Sequence, residues 1–280
     1  MVMNKKKTSE KKEDITILIV CALANEAKPI ISHLDMQHHK TEYSFKLYMS
    51  NNIGLLISGV GKANIAAALM WSQLYCQPVK FINVGVVGCG ELPLGQTLLI
   101  NKIIDDASSA THYPSIHFPW KGQSAVLRTI DKPSDEYHKK QAYDMEASAF
   151  FVIANRLVTT ENIFCLKVVS DNAENSYQKL SKDRLIQIMR SLLNDLDLLL
   201  DKIKHINDEF VDLDPVIKLM QQQWHITVNV EQQLREKLFA VAVLKENTQV
   251  NPPDWNSYSH AKAYLRDCEQ WLQKTNPKLI

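Results

Sequence analysis

Residues 143–172 read YDMEASAFFVIANRLVTTENIFCLKVVSDN, and this stretch decides the fold. Ala147, Phe150, Phe151 and Ala154 recur at spacings of three and four, which predicts a helix that buries one face. After a polar break over 159–162, the run Ile163–Val169 is rich in β-branched and aromatic residues and reads as a strand buried on both faces. Ser170, Asp171 and Asn172 follow directly. Open α/β sheets bind ligands at the carboxyl ends of their strands, so Asp171 is well placed for chemistry. The same position suits an aspartate that caps a following helix, and spacing alone leaves both readings open.

Working outward, Ile15–Cys21 reads as the first strand and turns through 22–27 into a helix carrying Ile30, Ile31 and Leu34. Glu26 falls near the end of that strand, where it serves either chemistry or the helix dipole. Two strand-like runs, Tyr43–Met49 and Ile53–Ser58, flank the turn sequence Ser50-Asn51-Asn52 and predict an antiparallel hairpin. Gly59-Val60-Gly61-Lys62 then leads into an amphipathic helix, Ala63–Tyr75. Glycines at such a junction let backbone amides approach an anion or a sugar, although the spacing is not that of a P-loop. Val79–Val87 is another buried strand, and Gly85, Gly88 and Gly90 imply close backbone approach to a neighbouring strand or a ligand. A strand over Thr97–Ile104 follows, and residues 105–141 yield only a short strand near Ala125–Leu127.

This order predicts an α/β fold, a three-layer sandwich with a central mixed β-sheet, plus a C-terminal helical appendage. The expected divisions are a disordered tail over 1–14, a domain over 15–205 and a helical extension over 206–280. The extension opens on the acidic linker NDEFVDLD, 207–214, before Pro215. Helices are expected near Val216–Gln223, Val230–Leu244 and Tyr258–Leu272, with Asn229 and Gln232 as a capping pair and Trp224, Trp255 and Trp271 in the core. Such an extension packs on the domain, packs across a dimer, or recruits a protein partner.

A 45% hydrophobic and 22% charged composition is that of a globular chain, and a formal net charge of +1 supplies no field to attract nucleic acid. Cys21, Cys76, Cys89, Cys165 and Cys268 are odd in number and widely spaced, which argues against a disulfide framework and fits a reducing cytoplasm. His33, His38 and His39 have no cysteine or acidic cluster at ligand spacing and read as surface residues, so no metal and no cofactor are expected. Glu13 and Asp14 stand where a signal peptide needs positive charge, and no run reaches the length of a membrane span.

Four stretches, in order, carry a family resemblance: ILIVCALANEA (17–27), LLISGVGKANIAAAL (55–69), FINVGVVGCGELPLG (81–95), and YDMEASAFF (143–151) with VVSDN (168–172). Together they resemble the nucleoside phosphorylase and nucleosidase superfamily, and within it most of all the methylthioadenosine/S-adenosylhomocysteine nucleosidases, over residues 15 to about 203. The resemblance implies a purine nucleoside as substrate and a homodimer. It implies that Asp171, beside Ser170, is the general acid at N7 of the departing purine, carrying a proton when substrate is bound. It implies that Glu26 activates the attacking water, that Glu146 accepts hydrogen bonds from the ribose hydroxyls, and that Met145 packs beneath the sugar. Asp144, Ser170, Gly59 and Gly85 complete the expected substrate-binding set. Phosphorylase members carry an arginine and a serine around phosphate in the strand matching 83–86, where this chain has Asn-Val-Gly-Val. The segment 105–141 is shorter than in typical nucleosidases, and its Thr129-x-Asp131-x-Pro133 element is similar to the hopanoid-pathway branch, which acts on a nucleoside bearing a large apolar substituent. The shortening either opens room for a bulky 5' group or marks a relative that binds without turnover.

Overall fold

The computed structural model describes residues 15–41, 45–133, 141–204, 213–245 and 252–275. The expected tail over 1–14 and most of the linker over 207–214 lie outside them. The chain divides into two compact units, residues 1–205 and 206–280.

The first unit opens with β1 (Ile17–Cys21), buried at every residue, followed by α1 (Ala24–His33). Next come β2 (Gln37–His39), β3 (Lys46–Ser50), β4 (Ile53–Ile57) and α2 (Lys62–Tyr75). Asn51 turns the β3–β4 hairpin with φ 52°, a left-handed conformation that asparagine tolerates better than most residues. Then follow β5 (Lys80–Cys89), β6 (Thr97–Asp105), β7 (Thr111–His112), β8 (Gln123–Thr129) and β9 (Gln141–Asp144). The unit closes with α3 (Ala147–Ala154), β10 (Ile163–Asp171), α4 (Lys182–Ser191) and α5 (Leu193–Lys204).

All ten strands among the described residues belong to one mixed sheet. β1 lies parallel between β4 and β5, and β5 runs parallel to β10. β10 pairs antiparallel with β6, β6 and β8 are parallel, β8 and β9 are parallel, and β9 returns antiparallel to β5. The strands β5, β10, β6, β8 and β9 therefore close a ring, and β1, β4, β3 and β2 extend from it as an open wing. Helices α1, α4 and α5 pack together on one side, while α2 and α3 pack together on the other. The α2/α3 face meets Leu18, Val20, Leu56, Phe81 and Val169, all essentially inaccessible. Each such side chain contributes on the order of 1.5–3 kcal/mol by leaving water.

Several expectations change here. β2, β7 and β9 were not legible, because they span only two to four residues each. β10 runs two residues beyond Val169, so Asp171 ends the strand instead of following it. The α2 helix is less amphipathic than expected, because Met70 and Leu74 lie exposed opposite its buried Ile65, Ala68 and Leu69. His39 is half-buried and bonds the Tyr75 hydroxyl at 2.7 Å, and His33 meets Asp197 at 2.8 Å.

The second unit holds α6 (Asp214–Gln223), α7 (Val228–Lys245) and α8 (Ala261–Thr275). Its core gathers Met220, Trp224, Leu234, Tyr264, Cys268 and Trp271. Trp255 packs edge-on against Trp224, whose indole N–H donates to the Tyr258 carbonyl at 3.1 Å. α7 starts at Val228, and the Thr227 hydroxyl accepts from the Val230 N–H; the side chains of the expected capping pair, Asn229 and Gln232, lie outside those described.

Candidate active site

The site lies where the pairing of β5 changes hands. Along one edge, Lys80–Asn83 of β5 pair with β1, and Gly88 and Cys89 pair with β9. Between these, among the described residues, 84–87 pair only with β10 on the opposite edge. A fork thus opens on β5, with an unpaired stretch of ladder at its base.

Glu26 fills that stretch. It sits in the first turn of α1, 3% exposed, and accepts the Val86 N–H at 3.0 Å and the Leu23 N–H at 2.8 Å. Gly85 makes room for it, since a Cβ there would stand 2.9 Å from a Glu26 carboxylate oxygen. Burial pushes Glu26 above the usual carboxylate range, against the pull of the Val86 and Leu23 amides and the Lys167 charge. A carboxylate offers about four lone-pair positions, so the Val86, Leu23 and Ala22 amides leave capacity for a water.

Glu146 enters from the opposite arm, in the turn after β9. Its carboxylate is buried and accepts the Gly61 N–H at 2.7 Å. Gly61, at φ 98°, precedes α2, so the backbone donor expected to await an external anion at this junction is bonded to the protein's own carboxylate. The Gly59 amide, in turn, bonds the Ala22 carbonyl at 3.1 Å. Burial and repulsion from Asp144 push Glu146 up to about 7, with Lys167 and the Gly61 amide opposing them. Met145 stands half-buried beside it.

Asp171 stands at the end of β10, beside the stretch of β5 that pairs with β9. A register shift between Val169 and Asp171 sets Asp171 opposite Gly88, and bulges of this kind re-aim side chains. Both Ser170 and Asp171 are buried, and the Ser170 hydroxyl donates to the Asp171 carboxylate. The helix-cap alternative for Asp171 falls away, because Ser176 caps the next 3-10 turn and Ser181 caps α4.

Asp144 behaves differently from its neighbours. One oxygen accepts the Thr129 hydroxyl at 2.8 Å, and the other accepts the Ala147 N–H and meets Lys167 Nζ, each at 3.0 Å. These are bonds to protein groups: Asp144 satisfies the first amide of α3 and anchors a buried lysine. Lys167, in mid-β10, was missed by sequence reasoning, and the signal was there as a lysine inside an otherwise apolar buried strand. A polar chain continues from Thr129, whose hydroxyl accepts the Ser148 N–H at 3.0 Å. The Ser148 hydroxyl donates to Asp105, which Lys62 also meets at 2.7 Å while reaching Asp131 at 2.8 Å. Burial would raise Asp105, but Lys62 and the hydroxyls of Ser148 and Ser108 hold it well below the usual range. Among the described residues no group of three or more His, Cys, Asp or Glu is placed to hold a metal ion.

Residues 16–141 match the family model described as the Phosphorylase superfamily. With the ring-and-wing sheet and its two helical layers, this gives the chain a nucleoside phosphorylase-like fold and bears out its resemblance to the nucleoside phosphorylase and nucleosidase superfamily. Solved structures it is similar to include nucleosidases. One is the 5'-methylthioadenosine nucleosidase of Arabidopsis thaliana in apo form, 16% identical with TM-score 0.59, the match covering 69% of this chain and 97% of that one. A second is the Campylobacter jejuni 5'-methylthioadenosine/S-adenosylhomocysteine nucleosidase, 16% identical with TM-score 0.53, covering 67% and 99%. A third is the Helicobacter pylori enzyme bound to butyl-thio-DADMe-Immucillin-A, 14% identical with TM-score 0.53, covering 67% and 98%. No curated protein matches the chain by sequence. No helix among the described residues is long and apolar enough to cross a membrane.

Proposed function

We propose that the protein is a purine nucleosidase, cleaving the N-glycosidic bond of a 5'-substituted adenine nucleoside with water. The observation that carries this reading is the fork on β5, where Glu26 and Glu146 enter from opposite arms and Asp171 stands at the end of β10. As the C1'–N9 bond breaks, its electron pair passes to the base, Asp171 gives its proton to N7, and positive charge develops on the ribosyl ring. Buried carboxylates stabilise such a cation. Glu26 takes a proton from the water that attacks C1', a task suited to a carboxyl raised by burial. Glu146, held by Gly61, accepts hydrogen bonds from the ribose hydroxyls, and Met145 packs beneath the sugar. Ser170 orients Asp171, and Asp144 acts as a positioning residue without touching substrate.

The adenine and 5'-thioether preferences rest on the similar nucleosidases and on the sequence resemblance. The test is to incubate the protein with methylthioadenosine, S-adenosylhomocysteine, 5'-deoxyadenosine, adenosine and inosine, and to measure free base. Release from one or more supports the reading. Tight binding of any of them without release would turn it into a binding relative.

A further inference from the structure

We propose that Lys167 is a positioning residue for this site, the buried counter-charge that lets Glu26 and Glu146 stand together at the fork, acting through its ion pair with Asp144. The proposal rests on the nucleosidase reading for its purpose but on separate observations for its substance. Lys167 and Asp144 meet at 3.0 Å with side chains only 2% and 1% exposed, so neither charge is screened by water. In the parallel register Lys167 stands beside Gly85, and paired residues of neighbouring strands point to the same face. That is the face on which the Glu26 carboxylate lies against Gly85. The groups that act on Lys167 are Asp144 of β9, Glu146 of the following turn, Glu26 of α1 and Cys165 of β10, the acids outnumbering the single ammonium. Lys167 in turn opposes protonation of both Glu26 and Glu146, while Asp144 promotes it in Glu146.

Asp144 therefore does two things: it fixes the ammonium at the base of the fork, and it takes up part of its charge. What remains is shared by the two glutamates. Removing either member of the pair must then move the glutamates in opposite directions, and loss of packing alone has no such sign.

The experiment labels glutamate side-chain carboxyls with 13C in the full-length protein. Glu26 and Glu146 are assigned by their disappearance in Glu26→Gln and Glu146→Gln, and their titrations are followed by NMR. In Lys167→Met the Glu146 midpoint should rise by at least about one pH unit, as expected for loss of an opposite charge at close range. Lys167→Arg should restore it, and Asp144→Asn should lower it. Midpoints that stay put in Lys167→Met and Asp144→Asn, or that move in the same direction in both, overturn the proposal. Should Lys167→Met fail to fold, the downward shift in Asp144→Asn carries the test, and its absence overturns the proposal equally. Because the readout is titration, a nucleoside panel that shows no turnover refutes the nucleosidase reading alone. Turnover with unmoved midpoints refutes only the role of Lys167.

Discussion

Gly61 donates its backbone N–H to the Glu146 carboxylate at 2.7 Å, joining the start of α2 to the turn that precedes α3 across 85 positions of sequence. The bond sets a carboxylate at a helix amino end, where the partial positive charge of the unpaired amides favours it. Burial and the nearby Asp144 work the other way and push Glu146 up to about 7.

In the unfolded chain Glu146 ionises near 4.5, whereas in the fold it keeps its proton to about 7. The folded state binds more protons in that window, so this group's contribution to stability falls as pH rises through it. Glu146→Gln should therefore be more stable than the parent above about pH 7, by up to about 3 kcal/mol, with the gain vanishing below about pH 4.5. Urea unfolding at several pH values checks this, and a gain that does not grow between those limits would count against it. On a nucleoside that is turned over, the same variant should lose more activity with the ribonucleoside than with its 2'-deoxy counterpart.

Gly85→Ala should separate chemistry from stability. The new Cβ would stand 2.9 Å from Glu26 Oε1, the far end of a flexible side chain that can swing aside at little cost to packing. Swinging aside breaks the Val86 bond and misplaces the base, so turnover should drop by about two orders of magnitude while the melting temperature changes little. An alanine variant with near-normal turnover would remove Glu26 from the mechanism.

Asp171→Asn keeps the size of the side chain and its capacity to accept from Ser170, but it cannot protonate the leaving base. Folding should be intact and base release about a hundredfold slower or worse. A folded variant with near-normal release would exclude Asp171 as the acid.

What the sequence made legible follows from how each residue gains its partners. β1 and β10 announce themselves as continuous apolar runs because both faces are covered by helices. Asp171 and Glu26 stand out as candidates because they fall at or just after the carboxyl ends of strands, where ligands of open α/β sheets bind. The double role of Asp144 is invisible, since its partners Thr129 and Lys167 come from strands whose neighbours are set by ring closure and not by local pattern. The fork itself depends on β9, four residues long, taking over the β5 edge that β1 leaves. No periodicity encodes that exchange.

Lys62 ties α2 to the ends of β6 and β8 by pairing with both Asp105 and Asp131. Asp105 is held below its ordinary value of 3.8, so its pairing contributes stability above that value and loses it as pH falls through the lower folded one. Lys62→Met should destabilise the protein at neutral pH by roughly 1–3 kcal/mol, with a smaller difference in acid. Equal losses at neutral and strongly acidic pH, read from thermal unfolding, would assign the effect to packing.

Hydrolysis and phosphorolysis differ in the nucleophile that must fit beside the ribosyl centre. A phosphate nucleophile needs donors near the ribosyl centre, normally a guanidinium or several amides and hydroxyls. Here the Val86 and Gly61 amides are each bonded to a glutamate, so an incoming anion would find both donors already taken. Arg128, the arginine nearest in sequence to the shortened segment's Thr129-x-Asp131 element, is neutralised by Asp106 at 2.7 Å. Water meets none of these obstacles and gains a base in Glu26. Base release should proceed in phosphate-free buffer, be unaffected by added phosphate, and yield the free 5'-substituted ribose. A ribose 1-phosphate product, with no release when phosphate is withheld, would reverse the assignment and require Arg128 to leave Asp106 for the substrate.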